Sequence, residues 1–374
     1  MASKRSSTTR RPRRRITALL LVAAALVAAG CTTSRPAPAT PTRPASGETA
    51  PLKGAGATFP APIYKKWFAD FGRRTGVRVS YDAVGSGEGI LQFTARRIDF
   101  GATDVPLNDI ELAQAEAIGG PVLHIPTVLG AVAVAYNVPG VTGLKLDGRL
   151  IGDLFVGRIV RWDDRRIAAL NPGVRLPDLP VTIVHRSDGS GTTANFSAFV
   201  ASQHAEFRSR IGDGKKVNWT TGKGADGNGD VADLIGATPG AVGYVELSYA
   251  VDRKLAVAAV KNHAGRFVTP SSATAAMAAQ DLAGLSAIND FQVSPAATTA
   301  SDAYPISTYT FLVVFQRQFD TAKGATLLRL LRYMTGEGQA SAVDLHYAPL
   351  PPPLRKLITA KLQLLTGPDG TPLT

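Results

Sequence analysis

The sequence predicts an α/β fold with largely parallel sheets, on three observations. Strand-like alternation and helical spacing of apolar residues follow one another along the chain. No repeat of roughly 20–50 residues points to a solenoid or propeller. Hydrophobic residues make up 45% and charged ones 19%, which supplies a packed core and excludes bulk disorder. At about 100–200 residues per domain, 374 residues predict two domains. Glycine (37) and proline (25) follow no three-residue period, which excludes collagen, and a single cysteine excludes a disulfide framework or a Cys-based zinc site.

The elements can be justified in order. Residues 62–72 (PIYKKWFADFG) put Ile63, Trp67 and Phe71 on one helical face behind an initial proline. Residues 77–83 alternate as a strand, 90–97 read as a short helix and 98–102 as another strand. Asn108 caps a helix running to Ile118. Residues 128–136 (VLGAVAVAY) form a long apolar strand. Residues 181–185 are a strand, followed by a helix from about Ser190 to Ser202. Residues 231–235 are helical, 241–246 a strand, 309–315 the last clear strand, and 321–334 a helix. In such sheets ligands sit at loops beyond the strand ends, beside helix N-termini.

The chain's positive charge is concentrated at its start. Residues 1–30 hold seven cations (Lys4, Arg5, Arg10, Arg11, Arg13, Arg14 and Arg15) and no acid; removing these seven from the formal +12 leaves +5. The apolar run 16–30 is 15 residues long, short of the roughly 20 that span a bilayer. A basic region, a short apolar run and terminal small residues describe a secretory signal over residues 1–30. Ala28-Ala29-Gly30 precede Cys31 and resemble the lipobox of bacterial lipoproteins, with Ala28 where leucine is usual. That resemblance implies acylation of Cys31 and a body held at the membrane by several acyl chains. A basic nucleic-acid arm or an uncleaved anchor are the competing readings, and Arg13-Arg14-Arg15 leaves Sec and twin-arginine export both open. Residues 31–52, rich in proline and small polar residues, read as a solvated tether. The folded body is expected to start near Lys53.

Four loops carry candidate chemistry: 54–60 (GAGATFP), 85–89 (GSGEG), 99–104 (DFGATD) and 186–192 (RSDGSGT). Small residues permit close backbone approach. Three of the loops lead into helices, whose first amides lack internal partners and favour oxyanions. Arg186 adds a planar fork able to hold two oxygens.

The segments GAGATFPAPIYKKW, YDAVGSGEG, DFGATDVPL, RSDGSGTT, GAVGYVE and DLHYAPLP resemble, in order and spacing, the substrate-binding protein of the bacterial high-affinity phosphate ABC transport system. The resemblance runs from about Lys53 to the C-terminus. It implies a two-lobe periplasmic-binding-protein fold of type II, with a hinge of two chain crossings. Lobe one would hold 53–127 and 306–374, and lobe two 128–305. It implies phosphate contacts from Thr58, Phe59 (through its amide), Ser86, Asp104, Arg186, Ser190, Gly191 and Thr192, with Asp188 orienting Arg186. Glu88 stands where many members have a small residue, and is expected to point to solvent. The implied partners are inorganic phosphate and permease subunits with a separate ATPase. The implied place is the periplasm or outer face of the cytoplasmic membrane, with Cys31 as lipid anchor. A monomer is expected, with no cofactor, no metal and no nucleic acid.

An aspartate in an anion site has a chemical reason. Phosphate carries one or two protons near neutrality, and ionised Asp104 can accept a hydrogen bond from P–OH. Sulfate has no such proton and would meet the carboxylate with bare oxygens, a penalty against the competitor. Arsenate shares phosphate's protons and is poorly excluded; sulfate and molybdate are the other rival oxyanions. Hydrolysis is the main alternative class, with Ser86 or Ser190 as nucleophile. Neither lies in G-x-S-x-G, and the five histidines (His124, His185, His204, His263, His346) are scattered. Asp226-Gly-Asn228-Gly-Asp230 resembles a calcium loop only briefly, with Val231 and Ala237 at its sixth and twelfth positions. No G-x-x-x-x-G-K-[ST] loop occurs for ATP. Aromatics at 7%, and a basic run confined to the signal, speak against nucleic acid.

Overall fold

The computed structural model describes residues 50–280, 291 and 298–374. The expected signal, Cys31 and the tether up to residue 49 lie outside the described residues. Within the unit Gly47–Thr374 the chain opens as β1 (Leu52–Gly56), α1 (Ala61–Thr75), β2 (Val79–Asp82), α2 (Ser86–Thr94), β3 (Phe100–Thr103) and α3 (Asp109–Gly119). The face of α1 buries Ile63, Tyr64, Trp67, Phe68 and Phe71, the apolar stripe that the spacing predicts. Asn108 caps α3 in a capping box with Glu111. The long strand β4 (Val122–Asn137) follows.

Next come β5 (Lys145–Leu146), α4 (Gly148–Phe155), α5 (Arg165–Leu170), β6 (Thr182–Arg186), α6 (Gly191–Gln203) and α7 (Ala205–Arg210). They are followed by β7 (Lys223–Ala225), α8 (Gly227–Ala237), β8 (Ala241–Glu246) and α9 (Leu247–Asp252). The chain continues through β9 (Ala256–Val257), β10 (Ala259–Lys261), β11 (Phe267–Val268) and α10 (Ser272–Gln280). It ends with β12 (Ser307–Phe315), α11 (Thr321–Thr335) and α12 (Pro352–Leu362).

The main sheet runs β2-β1-β3-β12-β4-β8-β6-β7, with β9 also on β4; a small sheet runs β11-β10-β5. Strand β4 belongs to both halves. Its residues 122–131 pair with β12, and 132–137 pair with β8. That change of partner is one chain crossing. The second is the approach to β12, where Val132 N–H donates to the Ile306 carbonyl (2.8 Å) and Tyr304 hydroxyl to the Val132 carbonyl (2.9 Å). The fold is therefore α/β with two lobes and two crossings.

The expectation of largely parallel sheets is corrected. The outer strands pair in parallel (β1 with β2 and β3; β6 with β7 and β8), but the central pairs β12–β3, β12–β4 and β4–β8 are antiparallel. Both crossing strands are covered on two faces, so they read as the continuous apolar runs of a parallel core. Strand β4 also starts six residues before its expected beginning, absorbing Pro126 at an irregularity in its pairing with β12.

Candidate functional site

Of the four segments expected as loops, 54–60 contains the end of β1 and the turn into α1, 85–89 is the cap and first turn of α2, 99–104 is β3 with its flanking residues, and 186–192 runs from the last residue of β6 into α6; the first three belong to lobe one and the last to lobe two. Gly85, at φ 91°, turns the chain into α2 and puts Ser86 at its first position. Ser190 caps α6, its Oγ accepting from Thr193 N–H at 3.1 Å. Gly191 and Thr192 follow as the first helical residues.

The lobes meet at these loops. Gly191 N–H donates to Ser86 Oγ at 3.1 Å, and Gly87 N–H to the Gly189 carbonyl at 2.8 Å. Gly191 sits so close to Asp104 that a Cβ there would lie 2.8 Å from Oδ2. Arg186 Nε donates to Asp188 Oδ1 at 2.6 Å, its Nη2 donates to Asp188 Oδ2, and its Nη1 donates to Thr192 Oγ1 at 3.4 Å. Asp188 Oδ1 also accepts from Gly227 N–H at 3.1 Å, which fixes the carboxylate that orients the guanidinium. Thr58, Ser86, Asp104, Arg186, Ser190 and Thr192 are all buried.

Phe59 differs from the others in what it presents. Its ring is buried, edge-on to Tyr347 and tight against Gly130. Its carbonyl accepts from Tyr347 hydroxyl at 2.6 Å. No described hydrogen bond uses its amide, nor that of Thr192. Glu88 is exposed, its Oε1 accepting from Gln92 Nε2 at 2.9 Å, so it points to solvent as expected.

Asp104 carries the site's electrostatics. Burial pushes its carboxyl up to about 7, against the opposing pull of the Thr310 hydroxyl and the Arg186 guanidinium. Burial thus favours the neutral form of Asp104 more than it would for an exposed carboxyl. Its Oδ1 accepts from Thr310 Oγ1 at 2.7 Å, and its backbone carbonyl from Thr308 Oγ1 at 2.9 Å and Asn195 Nδ2 at 3.0 Å.

Sequence reasoning missed several neighbours. Asn228, at the start of α8, donates from Nδ2 to Thr58 Oγ1 (2.8 Å) and Thr192 Oγ1 (3.1 Å). In sequence its segment reads only as an incomplete calcium loop. Its small residues before a helix repeat the pattern of the other donor loops, which is the available signal. Thr308 and Thr310 recur at period two within an apolar strand, a second unused signal. Glu246 is buried, with Oε2 accepting from Ser248 N–H (2.9 Å), and burial pushes its carboxyl up to about 8. Among the described residues no histidine is hydrogen-bonded to Ser86 or Ser190. His185 instead stacks on Trp219 at 4.9 Å, and His204 Nδ1 accepts from Phe207 N–H.

A family model for a PBP superfamily domain matches residues 37–336. The "Phosphate-binding protein PstS" of Xylella fastidiosa (strain 9a5c) is 39% identical, over 85% of this chain and 87% of its own length. That of Pasteurella multocida (strain Pm70) is 35% identical, over 83% and 89%. In fold, the chain is similar to PfluDING, a high affinity periplasmic phosphate-binding protein solved with phosphate bound. The TM-score is 0.67, with 23% identity, 83% of this chain covered and 93% of the other.

Proposed function

The chain belongs to the PstS phosphate-binding proteins of the PBP superfamily, and from that membership we propose that it binds inorganic phosphate between its lobes and hands it to an ABC-type importer. The observation that carries the reading is a buried carboxyl, Asp104, set among neutral donors and one guanidinium from the opposite lobe. Such a set suits an anion that still has a proton to give. In this reading Thr58, the Phe59 amide and Ser86 contact the anion from lobe one. Arg186, Ser190, Gly191 and Thr192 contact it from lobe two. Asp104 accepts its P–OH, and Asp188 holds Arg186 in place. The lobe divisions 53–127 with 306–374, and 128–305, keep this assignment.

The mechanism follows from the division. The anion enters an open cleft and bridges both lobes, and closure excludes water, which strengthens each hydrogen bond inside. The closed form is populated because phosphate binds it more tightly than the open one. Permease subunits read the closed shape, and a separate ATPase drives release. Residues 1–30 direct export, and acylated Cys31 with the tether, which ends just before β1 at Leu52 rather than at residue 52, holds a monomeric body at the outer face of the membrane or in the periplasm. The protein binds and releases its ligand unchanged; it is a carrier rather than a hydrolase.

Arg186→Ala tests the site. Hydrogen bonds to charged groups contribute about 1.5–3 kcal/mol each, and the change also strands the Asp188 carboxylate. Equilibrium dialysis with labelled phosphate is expected to show at least roughly a hundredfold loss of affinity, with a cooperative thermal melt kept at a lower midpoint. A folded variant with native affinity would remove Arg186 from the site.

A further inference from the structure

Asn228 is wholly buried at the second residue of α8. The backbone settles which way its amide points. Glu246 N–H can only donate, and it meets the Asn228 side chain at 2.8 Å, so that atom is the oxygen Oδ1 and the opposite atom is the NH2. The NH2 donates to Thr58 Oγ1 and Thr192 Oγ1, one hydroxyl from each lobe. Each hydroxyl accepts a second bond as well. Asn228 N–H donates to Thr58 Oγ1 at 3.1 Å, and Arg186 Nη1 to Thr192 Oγ1 at 3.4 Å. A hydroxyl has two lone pairs and one proton. Both lone pairs of both threonines are engaged, and neither hydroxyl donates to any described protein atom. Their protons are the only groups they have left to offer a ligand.

We propose that Asn228 is a positioning residue that locks Thr58 and Thr192 as hydrogen-bond donors toward the bound anion. Without it each hydroxyl can rotate and present lone pairs, which repel an oxyanion. The bonds to Thr58 cross between lobes, so the lock is complete only when the cleft is closed. The proposal rests on the phosphate reading above and deepens it.

Asn228→Asp keeps size and shape but converts the NH2 into an acceptor. Titrating calorimetry with inorganic phosphate, on wild type and variant from pH 5.5 to 8.5, is the test. The ionisable groups around position 228 are Arg186, Asp188, Asp104, Glu246 and Tyr249, with Asp226 and Asp230 flanking it along the chain. All are present in both proteins, so the ratio of affinities discounts their titration and that of phosphate. The expected ratio is about a hundredfold in favour of wild type at pH 8.5. It narrows by tenfold or more toward pH 5.5, where the introduced carboxyl is protonated and can donate again. Asn228→Ala, which adds no charge, is expected to bind about tenfold more weakly with a deficit that does not vary with pH. Wild-type affinity in Asn228→Ala, or a deficit in Asn228→Asp that ignores pH, would reduce Asn228 to a packing role and overturn the proposal. Failure of the wild-type protein itself to bind phosphate would instead remove the reading beneath it.

Discussion

In the proposed site, the state of one proton on Asp104 would set selectivity. Burial pushes its carboxyl up to about 7, against the opposing pull of Thr310 and Arg186. Above that value the ionised form would accept from P–OH and repel the bare oxygens of sulfate. Below it the carboxyl is protonated and can donate to those oxygens, so the penalty against sulfate relaxes. Sulfate is therefore expected to compete with phosphate about tenfold better at pH 5.5 than at pH 8.5, and Asp104→Asn is expected to flatten that change. Competition calorimetry measures both, and a sulfate affinity independent of pH in the wild type would contradict the argument. The aspartate is legible in the sequence from its motif, but its titration is not. The shift arises from residues that converge only on folding: Arg186, and Thr310, 206 positions away. Asn228 is hidden for the same reason, since its two hydroxyl partners lie 170 and 36 positions away.

At the scale of elements, the glycines explain both the site and the missed strand. Residues 54–60 read as a loop, yet Leu52–Gly56 is β1. A Cβ at Gly54 would lie 2.0 Å from the Phe100 ring, and one at Gly56 would lie 2.1 Å from the Ala102 carbonyl. Small residues here serve close packing within a sheet, which a propensity reading takes for a turn. Gly89 in α2 does the same against β1, because a Cβ there would lie 2.3 Å from Gly56 Cα and 2.9 Å from the Ala55 carbonyl. Both neighbours are backbone and cannot swing away. Gly89→Ala is expected to destabilise the body by about 1–3 kcal/mol in denaturant melts. It should also weaken phosphate binding by pushing the N-terminus of α2 away from the cleft. An unchanged midpoint with unchanged affinity would show that α2 can shift freely. The alternation of helices and strands is legible because it is local. The antiparallel centre is not, because direction depends on which distant strand becomes the neighbour.

For the whole molecule, the sheet itself is the hinge. Strand β4 spans both lobes without a break, and the second crossing packs against it at Val132. In this structure the lobes are closed on each other. Lys215 Nζ in lobe two reaches Glu111 Oε2 in lobe one at 2.5 Å, while the Lys215 carbonyl accepts from Ser190 N–H at 2.8 Å. That partly exposed pair contributes about 0–1 kcal/mol to closure, so the buried contacts among Ser86, Gly191, Thr58 and Asn228 dominate. Two lobes follow from length only loosely; the six ordered motifs make them legible, and only the coordinates bring the loops to one point. The most direct test of the account is a calorimetric titration of the purified, phosphate-stripped protein with inorganic phosphate at pH 8.5, repeated in a large excess of sulfate. One phosphate per chain, bound with an affinity that sulfate leaves unchanged, is the expected result. An absence of saturable heat, or displacement of phosphate by sulfate at equal concentration, would contradict it.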